Sequence, residues 1–218
     1  MAKKELERRY YSFDIEGRTE DGNDGTVILT GRPIVYGSRT DLGYFDEIIE
    51  AGALDKTDLR DVRFLVNHNT SMIPLARSRN NNANSTMKFS VDAEGMNLDF
   101  VKLDVENNAD SRALASAVSR GDISGMSFMF SVDDERWEDL ESEHPTRHIL
   151  GVSSVVEVSA VTFPAYDDTS IAVRNKEALE NAKLALESAK RSQKEALESE
   201  TRSELELAKA KALAKLRF

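Results

Sequence analysis

From Lys176 to Arg217 the chain has no glycine or proline and is dominated by Ala, Leu, Glu and Lys. From Tyr10 to Val173, short β-branched or aromatic runs are separated by clusters of Gly, Asp and Asn. Frequent breakers keep strands short, whereas their absence lets a helix continue. The expected fold class is therefore α+β: a strand-rich body followed by a long helical extension. At 218 residues the chain can bury one sizeable core with length left over. The expected boundaries are an N-terminal arm over residues 1–9, a folded domain over 10–174 and a charged helical tail over 175–218. The junction near Arg174-Asn175 would be an exposed linker, open to proteolysis.

Within the body, Thr26-Val27-Ile28-Leu29-Thr30 and Pro33-Ile34-Val35-Tyr36 flank Gly31-Arg32, predicting two short strands or one bulged strand. Met87–Val91 and Met96–Leu103 alternate around Asp92-Ala93-Glu94-Gly95, the pattern of an antiparallel hairpin. Two segments break the rhythm. Ile48–Leu59 reads as a helical turn within a loop, and Asp110–Arg120 as a helix with Leu114, Val118 and several alanines on one face, stopped at Gly121-Asp122. The tail reads as one long helix or two in series. Leu179, Ala182, Leu186 and Ala189 keep heptad spacing, but Gln193 and Glu200 fall on the same stripe, so a partner-binding or docked helix is expected over a durable coiled coil.

Composition excludes several functions. Without cysteine there is no disulfide, thiol nucleophile or cysteine-based metal site. The first nine residues lack the apolar region of a signal peptide, and no stretch reaches the roughly 20 apolar residues of a membrane span, so no membrane partner is expected. Residues 175–218 hold 10 basic and 8 acidic side chains, leaving 19 basic against 31 acidic in the remainder. Nucleic acid is a poor partner for such a body, because phosphate contacts need a basic face. After Glu206 the tail carries Lys209, Lys211, Lys215 and Arg217 and no acid, a basic end that complements the helix dipole or meets an acidic surface.

Chemistry concentrates in three segments. Phe64-Leu65-Val66 leads into Asn67-His68-Asn69, where two amides bracket an imidazole suited to drawing a proton from a hydroxyl. Ser127 lies in Gly125-Met126-Ser127-Phe128-Met129-Phe130, a small hydroxyl among bulky neighbours, sharing one strand face with Met129. Glu157 lies among β-branched residues in Val155-Val156-Glu157-Val158-Ser159-Ala160-Val161, where a carboxylate needs a partner if it is buried. Together they form a candidate Ser-His-acid set. Each also has a plainer reading: a structural or surface histidine, a serine chosen to fit a crowded wall, a solvent-facing glutamate. Ser124, beside Gly125, reads as turn chemistry. His144 and His148 flank Pro145-Thr146-Arg147 and read as a surface loop. Three histidines without a ligand-spaced carboxylate pair give no metal site, and no cofactor is expected.

These segments, taken with Gly31–Gly37, Phe45–Leu54 and the continuation to Thr162-Phe163-Pro164-Ala165-Tyr166, resemble in order the prohead proteases of tailed bacteriophages, the family typified by phage HK97. The resemblance spans roughly Tyr11 to Arg174. It implies a serine endopeptidase with a fold similar to the herpesvirus assembly proteases, a mostly antiparallel β-barrel flanked by helices. It also implies Ser127 as nucleophile, His68 as general base and Glu157 as third member, with His148 as runner-up because the herpesvirus enzymes use a second histidine there. Backbone amides of Ala165 and Tyr166 are the expected oxyanion donors.

The implied partners are the major capsid protein with its N-terminal extension, the scaffold, and the chain itself through autocleavage and homo-oligomerisation, with a dimer expected. The implied location is the host cytoplasm, inside the assembling prohead. The tail would then be a packaging tag, a propeptide or an oligomerisation helix. The competing class is a noncatalytic capsid scaffolding protein with a helical arm.

Overall fold

The computed structural model of the chain describes residues 6–11, 15–19, 25–162 and 176–215. Among these residues, strands dominate and form two sheets, with two helices completing an α+β fold. The first sheet combines β1 (Glu7–Tyr11), β4 (Arg39–Asp41), β5 (Asp46–Ile49), β6 (Asp61–Val66), β7 (Ala76–Arg79), β10 (Gly125–Glu138) and β11 (Thr146–Val161). The second is antiparallel, ordered β2 (Ile15–Thr19), β3 (Thr26–Val35), β9 (Gly95–Asp104), β8 (Met87–Asp92).

The long hairpin β10–β11 organises the first sheet. Val152, Val155, Val156, Val158 and Val161 give β11 a β-branched series that favours extended backbone. One edge of β11 pairs antiparallel with β10. The other edge takes two parallel partners in succession: β5 along Thr146–Ile149 and β6 along Glu157–Ala160. Strand β1 pairs antiparallel with the outer edge of β10.

Leu29, Ile34, Met96 and Leu98 of the second sheet share one apolar core with Phe64, Phe128, Phe130 and Val158 of the first. Full burial of such side chains stabilises a fold by about 1.5–3 kcal/mol each. Backbone hydrogen bonds from Gly37 to Ile49 (2.8 Å) and from Thr86 to Arg77 (3.1 Å) tie the two sheets together. The pairings among the described residues remain two separate sheets and do not close the barrel that the resemblance implies.

Residues 26–35 form one strand with register shifts on either side of Gly31, the bulged alternative. The β8–β9 hairpin matches expectation. Helix α1 (Ala109–Ser119) starts at the Asn108 cap, whose side chain accepts from the amides of Asp110 (2.9 Å) and Ser111 (3.2 Å). It buries Leu114 and Val118. The helical turn expected over Ile48–Leu59 does not form. Ile49 is drawn into the core as the end of β5, and the chain then bends through turns in which Gly52 has φ +85°. Residues 7–9, placed by the sequence in an arm, belong to β1.

Helix α2 (Lys176–Lys215) is a single helix of 40 residues, about 60 Å long at 1.5 Å per residue. Its first turns dock: Ala182 is buried against Leu42 and Phe45, with Leu186 and Trp137 beside it. Farther along, Leu197, Leu205 and Leu207 are exposed. No described helix is long and apolar enough to cross a membrane.

The β8–β9 turn depends on Gly95. Its φ is +137°, and a Cβ there would lie 2.0 Å from the Ile34 carbonyl oxygen of β3. Neither the backbone angle nor the space admits a side chain. Gly95→Ala should therefore lower unfolding stability by at least about 2 kcal/mol, read from the denaturant midpoint at unchanged slope.

Candidate active site

Three neighbouring strands present the candidate residues. Ser127 of β10 is paired with Ser159 of β11, and Met129 with Glu157, so Ser127, Ser159 and Glu157 project from one face of the sheet. Strand β6 lies on the far side of β11, with Leu65 opposite Ser159 and Val66 opposite Ala160. Immediately after β6, Asn67 (φ 51°) and His68 (φ 54°) are both left-handed. Asparagine and histidine are among the side chains that enter this region most often, yet for any non-glycine residue it costs energy, so the surroundings must hold the pair.

They do so at several points. The Asn67 amide nitrogen of the backbone donates to the Ala160 carbonyl (2.9 Å). The Asn67 side chain exchanges hydrogen bonds with Thr162, donating from Nδ2 to Oγ1 (3.0 Å) and accepting the Thr162 backbone amide (3.0 Å). The His68 backbone amide donates to Ser159 Oγ (3.1 Å). The left-handed pair thus turns the chain back over β11 and delivers the imidazole to the face that carries Ser127.

The result is a continuous relay. His68 Nε2 lies 2.6 Å from Ser127 Oγ, and His68 Nδ1 contacts Glu157 Oε1. The second carboxylate oxygen of Glu157 accepts the Ser159 hydroxyl (2.6 Å). Ser127 and Ser159 are fully buried, and Glu157 and His68 are 2% and 5% exposed, so the carboxylate has protein partners in place of water. A carboxylate against Nδ1 favours a proton there and leaves Nε2 to accept from a hydroxyl. The one proton of the Ser127 hydroxyl has a second acceptor beside it, the backbone carbonyl of Arg9 in β1.

Strand β1 is held by buried charge. The Arg9 guanidinium, 1% exposed, is clasped by both Glu47 oxygens, through Nε and through Nη2 at 2.7 Å. Arg147 of β11, also buried, contacts Glu47 (3.1 Å), Glu7 (2.6 and 2.9 Å) and Glu135 (2.7 Å). Burial would raise the Glu7 carboxyl, but Arg9 and Arg147 outweigh it and lower its pKa from 4.5 to about 2. The opposing acids raise Arg9 and Arg147 further above their ordinary range despite burial.

The structure thus unites His68, Ser127 and Glu157. His148 is not brought to them. It sits on β11, largely buried, with Nδ1 2.6 Å from Glu50 and Nε2 3.0 Å from Glu138, and so is not the surface-loop residue expected from its polar surroundings. His144 is exposed and lies near Asp46 (3.2 Å) and Asp41 (3.7 Å), so a His-Asp-Asp grouping exists that spacing along the chain concealed. Its Asp46 already pairs with Arg39 (2.8 Å). The expected oxyanion donors Ala165 and Tyr166 lie outside the described residues.

Two further residues, Ser159 and Arg9, join these contacts without having stood out in the sequence. Ser159 was recoverable in principle, since a residue two positions after Glu157 in a strand shares its face. Arg9 was not, because its partners Glu47 and Arg147 are distant in sequence.

The family described as caudovirus prohead serine protease matches residues 13–184 of the chain. No curated protein and no solved structure matches it significantly.

The lowered Glu7 carboxyl has a pH consequence. A depressed native pKa contributes stability that is present above the unfolded value and is lost as pH falls through the native one. Stability should therefore drop between about pH 4.5 and about pH 2 as Glu7 protonates. Denaturant unfolding across that range should show a shallower acid loss in Glu7→Gln than in wild type.

Proposed function

The chain belongs to the caudovirus prohead serine protease family, and on that premise we propose that it cleaves peptide bonds with Ser127 as nucleophile, His68 as general base and Glu157 as the carboxylate that orients the imidazole. The family gives it a role in capsid maturation inside the assembling phage capsid in the host cell, in contact with capsid proteins. The observation that carries the residue assignment is the unbroken contact path from Glu157 through His68 to Ser127 Oγ.

The chemistry follows from these contacts. His68 Nε2 takes the Ser127 proton as Oγ attacks the scissile carbonyl, and the resulting imidazolium lies against the Glu157 carboxylate. The tetrahedral intermediate collapses to an acyl-enzyme as His68 returns the proton to the leaving amine. Water, deprotonated by the same imidazole, then releases the acyl group. Ser159 has a positioning role: it fixes the second Glu157 oxygen and the backbone amide of His68, limiting rotation of both.

The proposed substrates are the scaffold region, the N-terminal extension of the major capsid protein, and the chain itself. The exposed leucines of α2 supply a surface for contact with capsid or scaffold proteins, independent of the relay.

Co-expression with the cognate capsid protein, followed by intact mass measurement, tests the assignment. Shortened capsid subunits should form with wild type and not with Ser127→Ala or His68→Ala; identical masses from wild type and Ser127→Ala in assembled shells would leave a noncatalytic scaffold. Glu157→Gln should lower kcat by about 10²- to 10⁴-fold, as expected for loss of an orienting carboxylate. Ser159→Ala should cost less, about ten- to a hundredfold, mostly in kcat with KM retained. A Ser159→Ala enzyme of wild-type rate would remove Ser159 from the mechanism.

A further inference from the structure

A protease must bring a substrate carbonyl to its nucleophile, and in this structure that place is taken. Ser127 has no exposed surface, and its hydroxyl donates to the carbonyl of Arg9. The chain that supplies this carbonyl is extended: β1 runs antiparallel to β10, with Tyr10 opposite Ser127 and Arg9 opposite Phe128. It is also the edge strand of its sheet, covered on its inner side by β10. We propose that the edge of β10 beside Ser127 is the seat of the peptide substrate, bound as an added antiparallel strand, and that β1 is its resident occupant. The chain is then silent until β1 leaves. This inference rests on Ser127 being the nucleophile.

Strand addition is a natural way to hold a peptide of varied sequence, because main-chain hydrogen bonds supply affinity whatever the side chains. With β1 gone, residues 125–130 of β10 become a free edge that ends at the relay. With β1 present, the chemistry is blocked twice. Access is closed, as burial shows. The hydroxyl also has one proton and faces two acceptors, His68 Nε2 and the Arg9 carbonyl oxygen. While the proton is given to Arg9, it is not given to the base, and Oγ meets the oxygen of that carbonyl, leaving no attack on its carbon.

The charge cluster that anchors β1 is built to survive its departure. Arg9 and Glu7 would leave together, as neighbours on one strand. Behind them Glu47 keeps Arg147 (3.1 Å), and Arg147 keeps Glu135 (2.7 Å). Neither buried charge of the body is orphaned, so release does not incur the penalty of an unpaired buried ion. An anchor made of apolar side chains would instead expose a greasy edge.

The absence of native cysteine makes the test clean. Arg8 and Met129 are directly opposite across β1 and β10, within disulfide reach for paired strand residues. In full-length protein carrying Arg8→Cys and Met129→Cys, oxidation should lock β1 in place. Attachment of a fluorophosphonate to Ser127, followed by mass spectrometry, should be at least tenfold slower in the oxidised form than in the same protein after reduction. Full-length Arg9→Ala, which removes the anchor, should label at least tenfold faster than wild type. A synthetic Leu-Glu-Arg-Arg-Tyr-Tyr peptide should slow it again. Equal rates in the locked and reduced forms would overturn the proposal while leaving Ser127 as nucleophile. Failure of both redox forms and of folded Arg9→Ala to label at all would instead overturn the nucleophile assignment, and this inference with it.

Discussion

Strand β11 pairs with β10 along one edge and, through Glu157–Ala160, with β6 along the other. Because side chains alternate across a strand, this double pairing fixes which residues of three distant segments share a face. A slip of one residue between β10 and β11 would put Ser127 and Glu157 on opposite sides of the sheet, and a slip between β11 and β6 would displace the turn that carries His68. The left-handed turn at Asn67 and His68 then crosses from the end of β6 back over β11. Its cost is local backbone strain, offset by hydrogen bonds to Ala160, Thr162 and Ser159. The position of the imidazole is therefore a property of the sheet rather than of a free loop.

Two buried electrostatic clusters lie on this sheet, and they differ in kind. Beside His68 both oxygens of the Glu157 carboxylate are engaged, one by the ring and the other by Ser159, which suits the orienting role proposed for it. Around Arg9 and Arg147, two cations are shared among three acids from β1, β5 and β10. Such clusters add little net stability over apolar packing, but leaving one member without its partner is strongly destabilising. They fit the release of β1 proposed above, since Glu47 and Arg147 keep partners in the body without it. The two clusters meet at Arg9, whose side chain belongs to one and whose carbonyl touches the other.

Much of the body was legible from local patterns. The β8–β9 hairpin, helix α1, the bulged β3 and the helical tail all follow from alternation, capping and breakers acting over a few residues. The three residues that meet in the candidate site were legible as candidates too, because Ser127 and Glu157 stand out among apolar strand neighbours and His68 follows an apolar run. Contacts set by non-local pairing were not. Nothing in the segment around Ile48 signals that β5 will lie parallel to β11, so local pattern suggests a helical turn within a loop where the structure has a strand end followed by turns. His148 looked solvated because its neighbours are polar, yet the β11 pairing buries it between Glu50 and Glu138. The docking of β1 was hidden for the same reason: Arg9 sits in a charged stretch, and only the fold supplies the buried Glu47 that explains it. The two-sheet arrangement likewise depends on pairings that alternation cannot specify.

On the proposed assignment, His68 and Glu157 act on Ser127 as one unit. This is tested most directly by prolonged exposure of the full-length protein to a fluorophosphonate, followed by peptide mapping of the adduct. Modification confined to Ser127 in wild type, and lost in folded His68→Ala, is the predicted result. Modification at another serine, or at Ser127 to the same extent without His68, would overturn the assignment.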